Sequence, residues 1–135
     1  SEKKTEDAKA AFQKYMEKHP KDADALEQLA SIAADAGDYA DAATYYKDAM
    51  EAASGDQVKE LQKALVAVYE KNGDFASALE EAKDYVADYP EDKTMQKEYE
   101  FLQTRVLTGL ENTGTDNTQQ VDDTAADTTT EGNGQ

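Results

Sequence analysis

The chain has 135 residues, 39% hydrophobic and 33% charged, with a formal net charge of −16, which leaves room for one domain with a modest core. That charge repels phosphate backbones and anionic lipid headgroups over about a Debye length, arguing against nucleic acid and against direct membrane binding. Cys is absent, which excludes disulfides, thiolate zinc sites and a cysteine nucleophile, and no apolar run approaches the ~18 residues of a membrane span.

In chain order, residues 1–19 read as a first helix. Ala8, Ala11, Phe12, Tyr15 and Met16 fall at helical spacing, and Pro20 disfavours helix at His19. His19, the single histidine, sits in the last turn, where a capping or solvent role is expected. Asp22 is a candidate N-cap for a second helix with the stripe Leu26, Leu29, Ile32 and Ala33, closing at Gly37. Asp38 is expected to cap a third helix through Tyr39, Ala42, Ala43, Tyr46, Ala49, Met50 and Ala53, which stops at Ser54-Gly55. Its Ala-rich face allows close approach by the second helix, so the two form an antiparallel hairpin. A fourth helix, from about Asp56 to Asn72, carries Val58, Leu61, Leu65, Val68 and Tyr69 and ends on Gly73. Asp74 caps a fifth, running through Phe75, Ala78, Leu79, Ala82, Tyr85, Val86 and Tyr89 to Pro90. Glu91 and Asp92 suit the first turn of a sixth, which bears Met95, Tyr99, Leu102, Val106 and Leu110, with Phe101 off its main stripe.

From 111 to 135 the composition shifts to Thr, Asp, Asn, Gln and Gly, with six acidic residues, no basic residue and no aromatic. Such a segment buries too little apolar area to offset its ordering entropy, so a disordered acidic tail is expected after a helical domain at 1–110. The tail, and an opening on Ser1 rather than Met, lead to the expectation of a longer bacterial protein. It would be extracytoplasmic or membrane-anchored through upstream sequence, and cytoplasmic otherwise.

One pattern is written twice. Gly37-Asp38-Tyr39 followed by Ala42 recurs 36 residues later as Gly73-Asp74-Phe75 followed by Ala78. A Gly-Asp-aromatic turn between helix-periodic segments at this spacing marks a helical repeat whose units bury their apolar faces on one another. The residues resemble the tetratricopeptide repeat. Leu26, Leu29, Ala30 and Ala33 stand for the family's Trp, Leu, Gly and Tyr, with Ala42, Tyr46 and Ser54 for its Ala, Phe and Pro. In the second unit Gln62, Leu65, Val66 and Tyr69 are followed by Ala78, Ala82 and Pro90. Ala8, Phe12 and Pro20 fit the second-helix half alone. Ala82 departs from the family's aromatic, with Tyr85 supplying bulk one turn later, and the sixth helix keeps only part of the pattern, as a cap does. The resemblance covers about residues 5 to 107. It implies an all-α, right-handed helical-hairpin solenoid of five to six helices that binds protein or peptide on its concave surface without catalysis or cofactor.

Catalytic constellations are absent: no phosphate-binding glycine loop, no nucleophile elbow and no calcium loop. The pairs Asp22/Asp24, Glu80/Glu81 and Asp84/Asp88 read as solvated faces. A small hydrolase or metal-binding protein is the rival class. The concave stripe of the fourth and sixth helices brings Lys63, Ala67, Lys71, Lys97, Phe101 and Arg105 to one face, which suits an acidic or carboxylate-bearing peptide. The competing reading is a solvated face whose lysines pair with Glu60, Glu70 and Glu98. Where relatives that bind chaperone C-termini use Lys and Asn, Glu27 and Ser31 stand here, so that activity is not implied. Weak self-association through the unpaired first helix is a further expectation.

Overall fold

The computed structural model describes residues 2–115, with side chains through residue 109. Six helices follow one another: α1 (Glu2–Lys18), α2 (Ala23–Asp35), α3 (Tyr39–Ala52), α4 (Asp56–Lys71), α5 (Phe75–Asp88) and α6 (Lys93–Thr115). Strong contact runs between consecutive helices along the chain, the nearest-neighbour topology of an all-α helical-hairpin solenoid. Among the described residues there is no strand, and no helix is long and apolar enough to cross a membrane. Helix α6 is continuous to Thr115 and passes the expected boundary at residue 110. The rest of the expected tail, 116–135, lies outside the described residues.

The two Gly-Asp turns are built alike. Gly37 and Gly73 adopt φ of 84° and 79°. Past α2, Asp38 N–H donates to Ala33 O at 2.8 Å and Gly37 N–H to Ala34 O at 3.0 Å; past α4, Asp74 N–H donates to Tyr69 O at 2.9 Å and Gly73 N–H to Glu70 O at 3.0 Å. This double closure satisfies orphan carbonyls and reverses the chain, and it needs a left-handed residue that glycine supplies without strain.

The caps correct the sequence reading in two places. Asp22 caps α2 as expected, accepting from Ala25 N–H at 3.1 Å, and Asp74 caps α5 through Ser77 N–H at 3.1 Å. Asp38, expected to cap α3, stands at the N-cap without a side-chain hydrogen bond, although Asp74 makes the same backbone turn and does cap through its side chain. Asp92 is not in the first turn of α6 but just ahead of it, where its Oδ1 accepts from Met95 N–H at 3.1 Å. His19 follows α1 and stacks on Tyr15, centroids 4.3 Å apart.

Two apolar clusters fill the array and α4 belongs to both. The first gathers Leu26, Ala30 and Ala33 of α2, Ala42, Tyr46 and Ala49 of α3, and Leu61, Leu65 and Val68 of α4. The second joins Val66 of α4 to Ala78, Ala82 and Tyr85 of α5 and to Met95 and Leu102 of α6. Leu65 thus packs against the preceding hairpin. Tyr85 is fully buried and occupies the space that the small Ala82 leaves, which settles where the displaced aromatic bulk goes. Its O–H donates to Asp92 Oδ2 at 2.7 Å, tying α5 to the cap of α6.

Helix α1 is the exception. None of its residues is buried. Met16 packs against the first cluster, Phe12 is half-buried, and Tyr15 is 43% exposed.

Candidate protein-binding surface

The first helices of successive hairpins, α2, α4 and α6, lie side by side and are joined by polar contacts. Gln57 Nε2 at the start of α4 donates to Asp24 Oδ1 at 2.7 Å and Glu27 Oε1 at 3.2 Å on α2. Between α4 and α6 the link is a pair of carboxyls, Glu70 and Glu98. Burial, then the hydrogen bond and charge repulsion with Glu98, push the Glu70 carboxyl up to about 7. Glu70 Oε2 is enclosed with no donor in reach. Two ionised carboxylates have no hydrogen to exchange, whereas a protonated Glu70 carboxyl can donate one.

Around this pair the sequence-selected residues divide. Ala67, Lys71, Lys97 and Phe101 are exposed, Phe101 by 55%, more than any other aromatic of the described chain. Lys71 and Lys97 make no ion pair among the described residues. Lys63 is half-exposed and its Nζ lies 3.6 Å from Glu60 Oε1 on its own helix, as the solvated-face reading expects for that residue. Arg105 is drawn aside: its guanidinium lies 4.5 Å from the centroid of the Phe75 ring on α5, a cation–π contact that diverts one cation from Phe101. Glu70 and Glu98 entered the sequence reading only as ordinary charge partners. Their coupling depends on the approach of two helices, which spacing along either one does not encode.

Residues 3–57, which span α1, α2, α3 and the first two residues of α4, match a tetratricopeptide repeat family model. Over these residues the chain is similar to the tetratricopeptide repeat family. The hairpin of α4 and α5 lies beyond the matched residues and rebuilds the same turn, with Gly73 and Asp74 in the roles of Gly37 and Asp38. Tetratricopeptide repeats are generally protein-interaction modules and typically non-catalytic helical scaffolds. No curated protein matches the chain. Among the described residues no three His, Asp or Glu side chains converge to hold a metal ion.

Proposed function

We propose that this tetratricopeptide-like array is a non-catalytic interaction module that binds an acidic or carboxylate-bearing peptide across α4 and α6. The observation that carries this reading is Phe101, 55% exposed, on a surface that also presents exposed Lys71 and Lys97, in a chain with net charge −16. A large exposed aromatic beside free ammonium groups offers an apolar anchor and a charge to recognise. Lys63 supports the same face from α4 after releasing Glu60, and Ala67 leaves room beside it for a ligand backbone. Arg105 contributes only by leaving Phe75.

The carboxyl pair sets the conditions. With Glu70 protonated the surface carries one negative charge fewer, so affinity for an acidic ligand weakens as pH rises through about 7. Salt weakens it as well. The chain holds an acidic sequence of its own at 116–135, with Asp116, Asp122, Asp123, Asp127 and Glu131 and no Lys or Arg, and tethering directly after α6 gives it a high effective concentration.

The test uses the chain ended at Thr115 and a synthetic peptide of residues 116–135 added in trans. Amide shifts mapped to Lys71, Lys97 and Phe101, lost in the Phe101→Ala variant and reduced by salt, are expected. A salt-independent response, or none at these amides, removes the assignment and leaves the lysines as ordinary solvated charges.

A further inference from the structure

The two ends of the array are not equivalent. In its interior, α5 is covered by α4. Val66 packs with Ala78, Ala82, Tyr85 and Met95, Gln62 Nε2 donates to Glu81 Oε1 at 3.1 Å, and the charges of Lys63 and Lys59 are within electrostatic reach of Asp92. Helix α1 holds the place of α5 at the opposite end: Ala8, Phe12, Tyr15, Asp22 and Ala25 stand at the registers of Ala78, Ala82, Tyr85, Asp92 and Met95. The tyrosine bridge recurs too, Tyr15 O–H donating to Asp22 Oδ2 at 2.7 Å as Tyr85 does to Asp92. No described helix covers α1 as α4 covers α5. In its place is an open groove of about 390 Å³ lined by Ala11, Phe12, Tyr15 and Ala25, with Asp22 and Asp24 as its acidic members.

We propose that this groove docks an amphipathic helix of a partner protein that presents a small residue to Phe12 and a lysine or arginine to Asp22. The size requirement comes from the two interior hairpins. Tyr46 shares its cluster with Ala30, while Ala82 shares its cluster with Val66, so a large residue on one helix goes with a small one on the other. Phe12 stands at the register of Tyr46 and Ala82 and is large, so the incoming residue must be Ala or Gly. The charge requirement comes from Asp22 and Asp24, the two carboxylates that line the groove; at Asp92, the interior counterpart of Asp22, the charge of Lys63 on α4 is within electrostatic reach. The cation belongs at the Lys63 register alone. Lys59 lies 5.1 Å over the Tyr89 ring in the interior, and Lys18 and His19 stand at the registers of Asp88 and Tyr89, where a second cation finds no such seat. Helix α6 of another copy does not meet the size requirement, because exposed Glu100 takes the register of Val66 and would bring a carboxylate against Phe12.

The site is separate from the α4–α6 surface, and the test reads different amides. The probe is a capped peptide of residues 56–71 carrying Val66→Ala, titrated into the full isotope-labelled chain. Saturable shifts at Phe12, Tyr15, Ala25 and Gln28 are expected. They should vanish in Ala11→Arg, whose site is exposed so that an unchanged thermal melt verifies folding. Peptides with Val66 retained, or with Lys63→Glu added, should bind at least about tenfold more weakly, through overpacking and like-charge juxtaposition. Absence of saturable shifts, shifts that survive Ala11→Arg, or equal binding by all three peptides overturns the proposal. Shifts confined to Lys71, Lys97 and Phe101 overturn it while leaving the α4–α6 reading in place. Groove shifts that follow protein concentration without peptide make a second copy the occupant and overturn it as well.

Discussion

Glu70→Gln isolates the carboxyl pair. In the native chain the Glu70 carboxyl titrates near 7, against 4.5 for a free side chain. Across that interval the folded state holds a proton that the unfolded chain has released, so stability is fully present below about 4.5 and falls as pH climbs to about 7. If the whole difference acted, the loss would be ~3.4 kcal/mol. Glu70 keeps contact with water, and solvent screening reduces the expected figure to ~1–2 kcal/mol. Asp22 and Asp92 do not mask it. Their tyrosine hydrogen bonds hold both below the usual carboxylate range, so their contribution is present above the unfolded value and is lost only at more acidic pH. The substituted amide keeps the shape of the carboxyl, carries no charge and can donate to Glu98 at every pH. Urea unfolding at intervals from pH 5 to 8 should show stability declining for the parent chain and flat for the variant, which should be the more stable of the two at pH 8. Parallel curves would refute the raised Glu70 carboxyl.

Leu65→Ala should cost roughly 2–5 kcal/mol, since Leu65 is fully buried between the hairpins; a loss under half a kcal/mol in urea would contradict its placement. Tyr85→Phe should cost about 1–2 kcal/mol by stripping a donor from Asp92. The matching Tyr15→Phe change, at a site 43% exposed, should stay within about 0.5 kcal/mol, and equal losses would refute the burial argument. Gly37→Ala and Gly73→Ala should each lower stability by about 1 kcal/mol or more. A Cβ at either meets nothing within 4 Å, so the penalty is one of backbone conformation alone; unchanged melting would count against the left-handed turns.

Much of the fold was legible because helix spacing and Gly-Asp turns are local signals. The stripes of α2 to α5 and the glycine stops fell where the helices begin and end, within a residue or two. What spacing did not show was where a side chain goes once two helices meet. Leu65 lies on a correctly read stripe yet packs against the earlier hairpin. Arg105 shares a helical face with Phe101 yet reaches back to Phe75 on α5. Asp38 has the composition of a cap and holds the N-cap position, yet unlike Asp74 it makes no side-chain hydrogen bond. Glu70 and Glu98 belong to different helices, and only the approach of α4 to α6 buries the Glu70 carboxyl beside a second acid and raises it.

The alternation of bulk between the hairpins bears on misfolding. Repeat chains can slip, pairing a helix with the homologous partner one unit along. Here Val66 brought against Tyr46 would overcrowd the seam, and Ala30 brought against Ala82 would leave a void, each costing about 1–3 kcal/mol or more. The hairpins are keyed differently, so slipped pairings are penalised at both seams together.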